Sequence, residues 1–309
     1  MKKYLILGGS GFIGEKIVKD LGEKNQIIVA DRLANNNFTH MTNVQFAPLD
    51  FSKTVSFKPL LKNVDMVIHL ICTVFPKDGT ENFVNDIESN ILPTIRLLED
   101  MKNTPSELLF LSSGGTIYGE GSNNSSKETD EKSAFCEYAL LKIMIENTLD
   151  LYSNQYGLKY KTVRLSNPYG FLKSQKRMQG IIPIIINNIL DKKPLTIWGD
   201  GHNIRDYIYI DDAIEAIREV INYNGTENIF NVGTGIGYSI MDVIDIICNA
   251  MNLSEMPEVI YEKPRKCDLH KNILDISRIM KATNWKPKVI LEEGVKILLD
   301  EFRTLGNAS

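Results

Sequence analysis

Tyr138 and Lys142 stand four residues apart in EYALLKIMIENTL, a stretch of helical periodicity, and so share one helix face. A lysine ammonium beside a phenol favours the phenolate and brings the tyrosine toward the range in which it can take and return a proton. The same spacing is also that of an ordinary surface pair. A second copy, Tyr169 and Lys173, follows Pro168 in a turn and is read as accidental. The preceding apolar run LLFLSS and the loop GGTIYG bring hydroxyls into play: Ser112, Ser113 and Thr116 either face the tyrosine or merely satisfy loop backbone groups.

A second constellation opens the chain. KKYLILGGSGFIGEKIVKDL places Gly8, Gly11 and Gly14 after an apolar run that reads as a buried strand, and before a helical stripe of Phe12, Ile13, Ile17, Val18 and Leu21. The stretch is too short and too broken by glycine for a secretory signal. Glycines in a strand-to-helix turn let a diphosphate approach the backbone at the positive end of the helix, although a plain structural turn has the same residues. The next apolar run, QIIVAD, ends in Asp31, at the distance where a dinucleotide fold offers a carboxylate to the adenosine ribose. A carboxylate there repels a 2′-phosphate, so Asp31 favours NAD over NADP, with Arg32 softening that preference; a solvated strand end is the plainer reading.

Elements that could position these groups alternate along the chain. YLIL, QIIVA, VQFAPL, DMVIHLI, ELLFLSS and YKTVRLS read as strands, with helical stretches near 12–22, 80–102 and 137–156. That rhythm predicts an α/β fold with a doubly wound parallel sheet. After Asn167 it loosens into pieces punctuated by proline and glycine. The expected division is a dinucleotide-binding domain over 1–166 and a smaller C-terminal substrate-binding lobe over 167–309, with segments within 206–236 returning to the first domain.

The whole chain of 309 residues is 43% hydrophobic and 24% charged, with a net charge of −4, an ordinary globular balance that points away from nucleic acid. The densest basic run, KSQKR at 173–177, reads as a solvated loop. No run approaches the roughly 20 apolar residues of a membrane span. Cys72, Cys136, Cys248 and Cys267 lack paired spacing, as do the four histidines, which predicts reduced thiols, no metal site and a cytoplasmic protein.

Taken in order, GGSGFIG, Asp31, LSSGGTIYG, YALLK, RLSNPYG, GDGHNIRDYIYIDDA and FNVGTGIGYSI resemble the extended short-chain dehydrogenase/reductase family, and within it the nucleotide-sugar epimerases and dehydratases of the UDP-glucose 4-epimerase type. The resemblance continues through LDISRIMKATNWKPKVILEEG. It implies a Rossmann-type fold, bound NAD, a nucleoside diphosphate sugar as substrate and a homodimer paired through the helices near 80–102 and 137–156. By the same resemblance Gly8, Gly11 and Gly14, with Phe12 and Ile13 between them, bind the NAD pyrophosphate; Asp31 and Arg32 meet the adenosine ribose; Asp50 and Phe51 lie at the adenine; Leu70 lies along the cofactor and Asn90 supports the site. Tyr138 becomes the catalytic base and Lys142 the anchor of the nicotinamide ribose. Asn167 contacts the sugar nucleotide, Arg205 and Arg265 clamp its diphosphate, and Asn272 is a gate at the C2 substituent, small enough to admit an N-acetyl group. Asp206 is an alternative, purely structural partner for Arg205.

One position departs from the family. The serine or threonine expected four residues before Tyr118 is Gly114 here, leaving Thr116, then Ser113, as candidates for the missing catalytic hydroxyl. Gly115 and Thr116 stand where dehydratases and decarboxylases of the family carry an acid, which disfavours elimination. The expected reaction is therefore inversion at C4 of a nucleoside diphosphate hexose. A 4-ketoreductase or dehydrogenase, and a dinucleotide-binding module without catalysis, are the alternatives.

Overall fold

The structure, a computed structural model, describes residues 1–34, 36–75, 82–120, 125–171, 180–265 and 268–306. Lys173 of the second tyrosine–lysine pair, the basic run 173–177 and Cys267 lie outside them. The first strand, β1 (Lys3–Leu7), runs into the glycine turn and α1 (Phe12–Gly22). Then follow β2 (Gln26–Asp31), β3 (Val44–Pro48) and β4 (Met66–His69). Next comes a helical stretch of α2 (Phe83–Asp86), a π turn (Ile87–Ile91) and α3 (Leu92–Met101). Pro93 explains the interruption: it has no N–H to give to the preceding turn, and a widened turn absorbs the loss.

The chain continues with β5 (Glu107–Ser113), α4 (Glu137–Tyr156), β6 (Tyr160–Leu165), β7 (Asn167–Tyr169), α5 (Ile181–Leu190), β8 (Leu195–Trp198), β9 (Ile204–Tyr209) and α6 (Ile210–Asn222). It ends with β10 (Ile229–Val232), β11 (Gly237–Ser239), α7 (Ile240–Met251), β12 (Val259–Glu262), β13 (Lys271–Asn272), α8 (Ser277–Thr283) and α9 (Leu291–Gly306).

Among the described residues, seven strands form one sheet in the order β10-β6-β5-β4-β1-β2-β3, every pair parallel. This is a Rossmann-type doubly wound sheet. Its strands are apolar throughout because both faces are covered. Tyr4, Ile6, Ile27, Val29, Leu109 and Leu111 point into one core with α1 and α6, whereas Leu5, Leu7, Ile28, Ala30, Leu108 and Phe110 point into the other with α3 and α4. Strand β10, far along the chain, closes the sheet beside β6. The segment NPYG, read from sequence as loosened chain, pairs instead as β7 with the second half of β9, whose first half lies between β11 and β13.

A buried polar network joins these parts. Arg164 on β6, 2% exposed, grips Glu146 on α4 through Nε (3.1 Å) and Nη2 (2.7 Å), and donates from Nη1 to the Tyr118 hydroxyl (2.8 Å) and the Glu128 carbonyl (3.0 Å). Tyr118 in turn donates to Asn231 Oδ1 on β10 (2.6 Å). Removing one member leaves a buried charge without its partner. Glu146→Leu is expected to cost about 3–5 kcal/mol in urea unfolding, with Arg164→Met/Glu146→Leu nearer to the native protein than either single variant; a loss under about 1 kcal/mol would show the pair to be solvated.

Candidate active site

The glycine turn begins where β1 ends. Gly8 has φ +86°, which a side chain would strain, and a Cβ on Gly14 would stand 2.7 Å from the Gly9 Cα, so α1 packs against the turn at contact distance. A Cβ on Gly11 would approach only the Gly8 carbonyl, at 3.3 Å, leaving its outer side open. No side chain caps the first turn of α1, whose amides at Phe12 and Ile13 lack helical partners of their own. An open, uncapped helix N-terminus suits a diphosphate. At the end of β2 the Asp31 carboxylate accepts from the Ser10 amide (3.0 Å) and from the Arg32 amide (2.7 Å), tying the turn to the neighbouring strand.

Arg32 Nε lies 3.7 Å from Asp50, whose acidity is increased chiefly by the Ser52 hydroxyl; Phe51 beside it is buried. Leu70 follows β4, its amide bonded to the Leu7 carbonyl (3.0 Å). Buried Asn90, on the π turn, accepts from the Thr73 amide (2.9 Å) and donates to Thr73 Oγ1 (2.7 Å), fixing the segment after Leu70. By the register Leu7↔His69↔Phe110, β1 and β4 end level with the middle of β5, and β5 and β6 run on together to Ser113↔Leu165, so that all four end at the carboxyl edge, where open α/β sheets take ligands.

Helix α4 brings Tyr138 and Lys142 to that edge. Lys142, 3% exposed, donates to the Leu111 carbonyl (2.8 Å), and its ammonium lies 4.8 Å from the Phe110 ring centroid and 5.7 Å from that of Tyr138. Burial pulls the lysine pKa down; Cys72 and Glu146 oppose it. Burial pushes the Tyr138 phenol well above its ordinary value, Cys72 and Cys136 add to the rise, and the Ser113 hydroxyl works against it. Desolvation thus outweighs the lowering that the tyrosine–lysine spacing led us to expect. On β5 and in the turn after it, Ser112 Oγ and Thr116 Oγ1 are buried without hydrogen-bond partners among the described residues.

Of the residues expected to meet substrate, Asn167, Arg205 and Asn272 lie on or against β9, and Arg265 beside β8. Asn167 on β7 donates to the Asp206 carbonyl (2.9 Å) and flanks Gly115. Arg205 donates to the Leu269 carbonyl (2.6 Å) and lies 3.6 Å from Asp268. The Asp206 carboxylate, expected as its structural partner, bonds Thr234 and Gly235 instead, because consecutive strand residues face opposite sides. Asp206 is fully buried and accepts from the Thr234 amide and hydroxyl (2.8 Å each) and the Gly235 amide (3.0 Å). Arg265 stacks its guanidinium 3.7 Å from the Trp198 ring centroid. Asn272, opposite Arg205 in the β13–β9 register, is buried; its Nδ2 donates to the Gly114 carbonyl (3.1 Å), and its Oδ1 has no partner among the described residues.

Sequence reasoning passed over His69. It is 1% exposed between Phe51 and Phe110, its Nε2 lies 3.1 Å from Thr94 Oγ1, and burial with the Lys142 charge pushes its pKa down to about 3. Its place at the end of an apolar strand, HLI, was the only signal. The unfolded chain binds a proton near pH 6.5 that the folded chain refuses, so the stability present above that pH is lost progressively as pH falls toward 3. Between pH 6.5 and 4 the native protein should lose up to about 1.4 kcal/mol per pH unit more than His69→Gln in chemical unfolding; parallel pH profiles would show an ordinarily titrating imidazole.

The model of the NAD dependent epimerase/dehydratase family matches residues 4–233. The dTDP-4-dehydro-6-deoxyglucose reductase of Escherichia coli is 30% identical over 97% of this chain and 97% of its own. The UDP-glucose 4-epimerase of Thermotoga maritima, solved with UDP-glucose, superimposes with a TM-score of 0.87 at 29% identity over 98% of this chain and 99% of its own. That of Thermus thermophilus, solved with NAD, does so with a TM-score of 0.86 at 32% identity over 97% and 99%. Among the described residues no helix is long and apolar enough to cross a membrane. A parallel sheet with an open glycine turn, a strand-end carboxylate and a tyrosine–lysine helix at one edge agrees with what the match covers: the chain belongs to the NAD dependent epimerase/dehydratase family, and NAD is its cofactor.

Proposed function

We propose that this enzyme inverts C4 of a nucleoside diphosphate hexose, UDP-glucose or its N-acetylhexosamine counterpart, through a 4-keto sugar. The observation that carries the reading is the meeting of Tyr138 with buried Lys142 and the Ser113 hydroxyl at the carboxyl edge of the sheet. NAD, held at Gly8–Gly14 and Asp31, supplies reversible oxidation at the sugar carbon. As the phenolate Tyr138 takes the proton of the C4 hydroxyl, and as the phenol it returns it; the Ser113 hydroxyl counters the desolvation that otherwise keeps the phenol protonated, and the Lys142 ammonium, 5.7 Å from the ring centroid, favours the charged form. Arg205 and Arg265 hold the diphosphate, a task for which a planar fork is suited. Firm hold on the phosphates and loose hold on the ring let the keto sugar present its other face.

Leucines and valine exposed on the helices beside the site, Val84, Leu92, Leu140 and Leu151, support pairing into a homodimer. The reductase relative favours one alternative, a 4-ketoreductase, which consumes reduced cofactor stoichiometrically.

Purified protein given UDP-glucose or UDP-N-acetylglucosamine without added nicotinamide should yield the galacto epimer by proton NMR, and Tyr138→Phe should retain less than about 1% of that turnover. Conversion of a 4-keto sugar only when NADH or NADPH is added would establish the reductase instead. Asn272→Tyr should lower turnover of the N-acetyl substrate at least about tenfold more than that of UDP-glucose; equal losses would remove Asn272 from the gate.

A further inference from the structure

Leu274 is fully buried in a small cluster of its own with Ile117 and Tyr118, from the turn after β5, and Ile143, the neighbour of Lys142 on α4. A side chain from the C-terminal lobe therefore sits between the hydroxyl-bearing turn and the helix of the tyrosine–lysine pair. It also occupies the space that a side chain at position 114 would need. A Cβ built there would stand 2.5 Å and 3.0 Å from the two Leu274 methyls and 2.9 Å from the Arg164 carbonyl. Neither wall is free to retreat. Gly114 donates to the Leu165 carbonyl (2.8 Å), and the segment around Leu274 is held by Ser126 N to Ile273 O and Asp275 N to Ser126 O, both 2.8 Å, and by the Leu274 amide on the buried Asp206 carboxylate (3.4 Å). Asn272 adds a bond to the Gly114 carbonyl (3.1 Å). In the turn so clamped, Thr116 Oγ1 is buried and has no hydrogen-bond partner among the described residues.

We propose that Leu274 is a positioning residue that fills the place of the side chain absent at Gly114, docks the 112–118 turn onto α4, and thereby makes Thr116 the hydroxyl that serves the substrate. The proposal rests on the reading of Tyr138 as the proton-transfer group. It turns the departure at Gly114 from a defect into one half of a matched pair. A serine side chain introduced at position 114 would compete with Leu274 for one volume, so the two positions are coupled and cannot be changed independently without loss.

The test is a double-mutant cycle of Gly114→Ser and Leu274→Ala in the full chain, read in both turnover and thermal midpoint, with Thr116→Val added to the native and doubly substituted proteins. Gly114→Ser should lower kcat about 100-fold and Leu274→Ala about tenfold with KM changed less than about threefold, while the double variant recovers to within about tenfold of native. Thr116→Val should cost about 100-fold in the native background and less than about threefold in the double variant, where the hydroxyl introduced by Gly114→Ser serves instead. Leu274→Met, which keeps the volume, should retain at least about half of native turnover. Full activity of Gly114→Ser with Leu274 intact, losses that simply multiply, or an indifferent Thr116 would each overturn the proposal. A native protein that acts on no nucleotide sugar would instead overturn the reaction assigned above. In that case the coupling in thermal midpoint still reads the packing, and an additive midpoint would overturn it as well.

Discussion

A guanidinium buried in the body of a protein has to be surrounded by acceptors, and that requirement at Arg164 organises the molecule around its site. The ion needs Glu146 from α4, the Tyr118 hydroxyl from the turn after β5 and a carbonyl at Glu128, so three separate segments are drawn to β6 at once. Tyr118 then passes the constraint to Asn231 on β10, the strand that returns from late in the chain to close the sheet. Glu146 lies one helical turn beyond Lys142, so the ion pair that anchors α4 also sets the height at which Tyr138 and Lys142 meet the sheet edge.

Electrostatics at that edge are governed by desolvation. Lys142 is buried against a backbone carbonyl and an aromatic ring, with His69 kept neutral nearby, and the Tyr138 phenol is held protonated by its surroundings. What the chain sets against that desolvation is the Ser113 hydroxyl at the phenol.

The chain after Asn167 is built into the body of the sheet. Its core is continuous with one face of the sheet through α6, α7 and α9, and its strand β13 meets the hydroxyl-bearing turn directly through Asn272. Asp206 is the joint: a buried carboxylate on β9 that accepts from Thr234, Gly235 and Leu274, and so ties those segments together behind Arg205. A carboxylate without those donors could not remain buried.

Local pattern determined much of this protein. Continuous apolar runs alternating with helical stretches dictated a parallel sheet buried on both faces; glycine spacing with Asp31 marked the turn at which a dinucleotide is expected; and a four-residue spacing put Tyr138 beside Lys142. These are consequences of backbone geometry, legible wherever the residues that cooperate are neighbours in the chain. The tertiary structure alone decided what depends on distant segments meeting. The register of β13 against β9 sets Asn272 beside the Gly114 carbonyl, strand alternation gives Arg205 to Asp268 and hides Asp206, and burial places His69 between two phenylalanines. Desolvation belongs to the same class, since the rise of the Tyr138 pKa above the lowering that its spacing predicts is a property of everything packed around it.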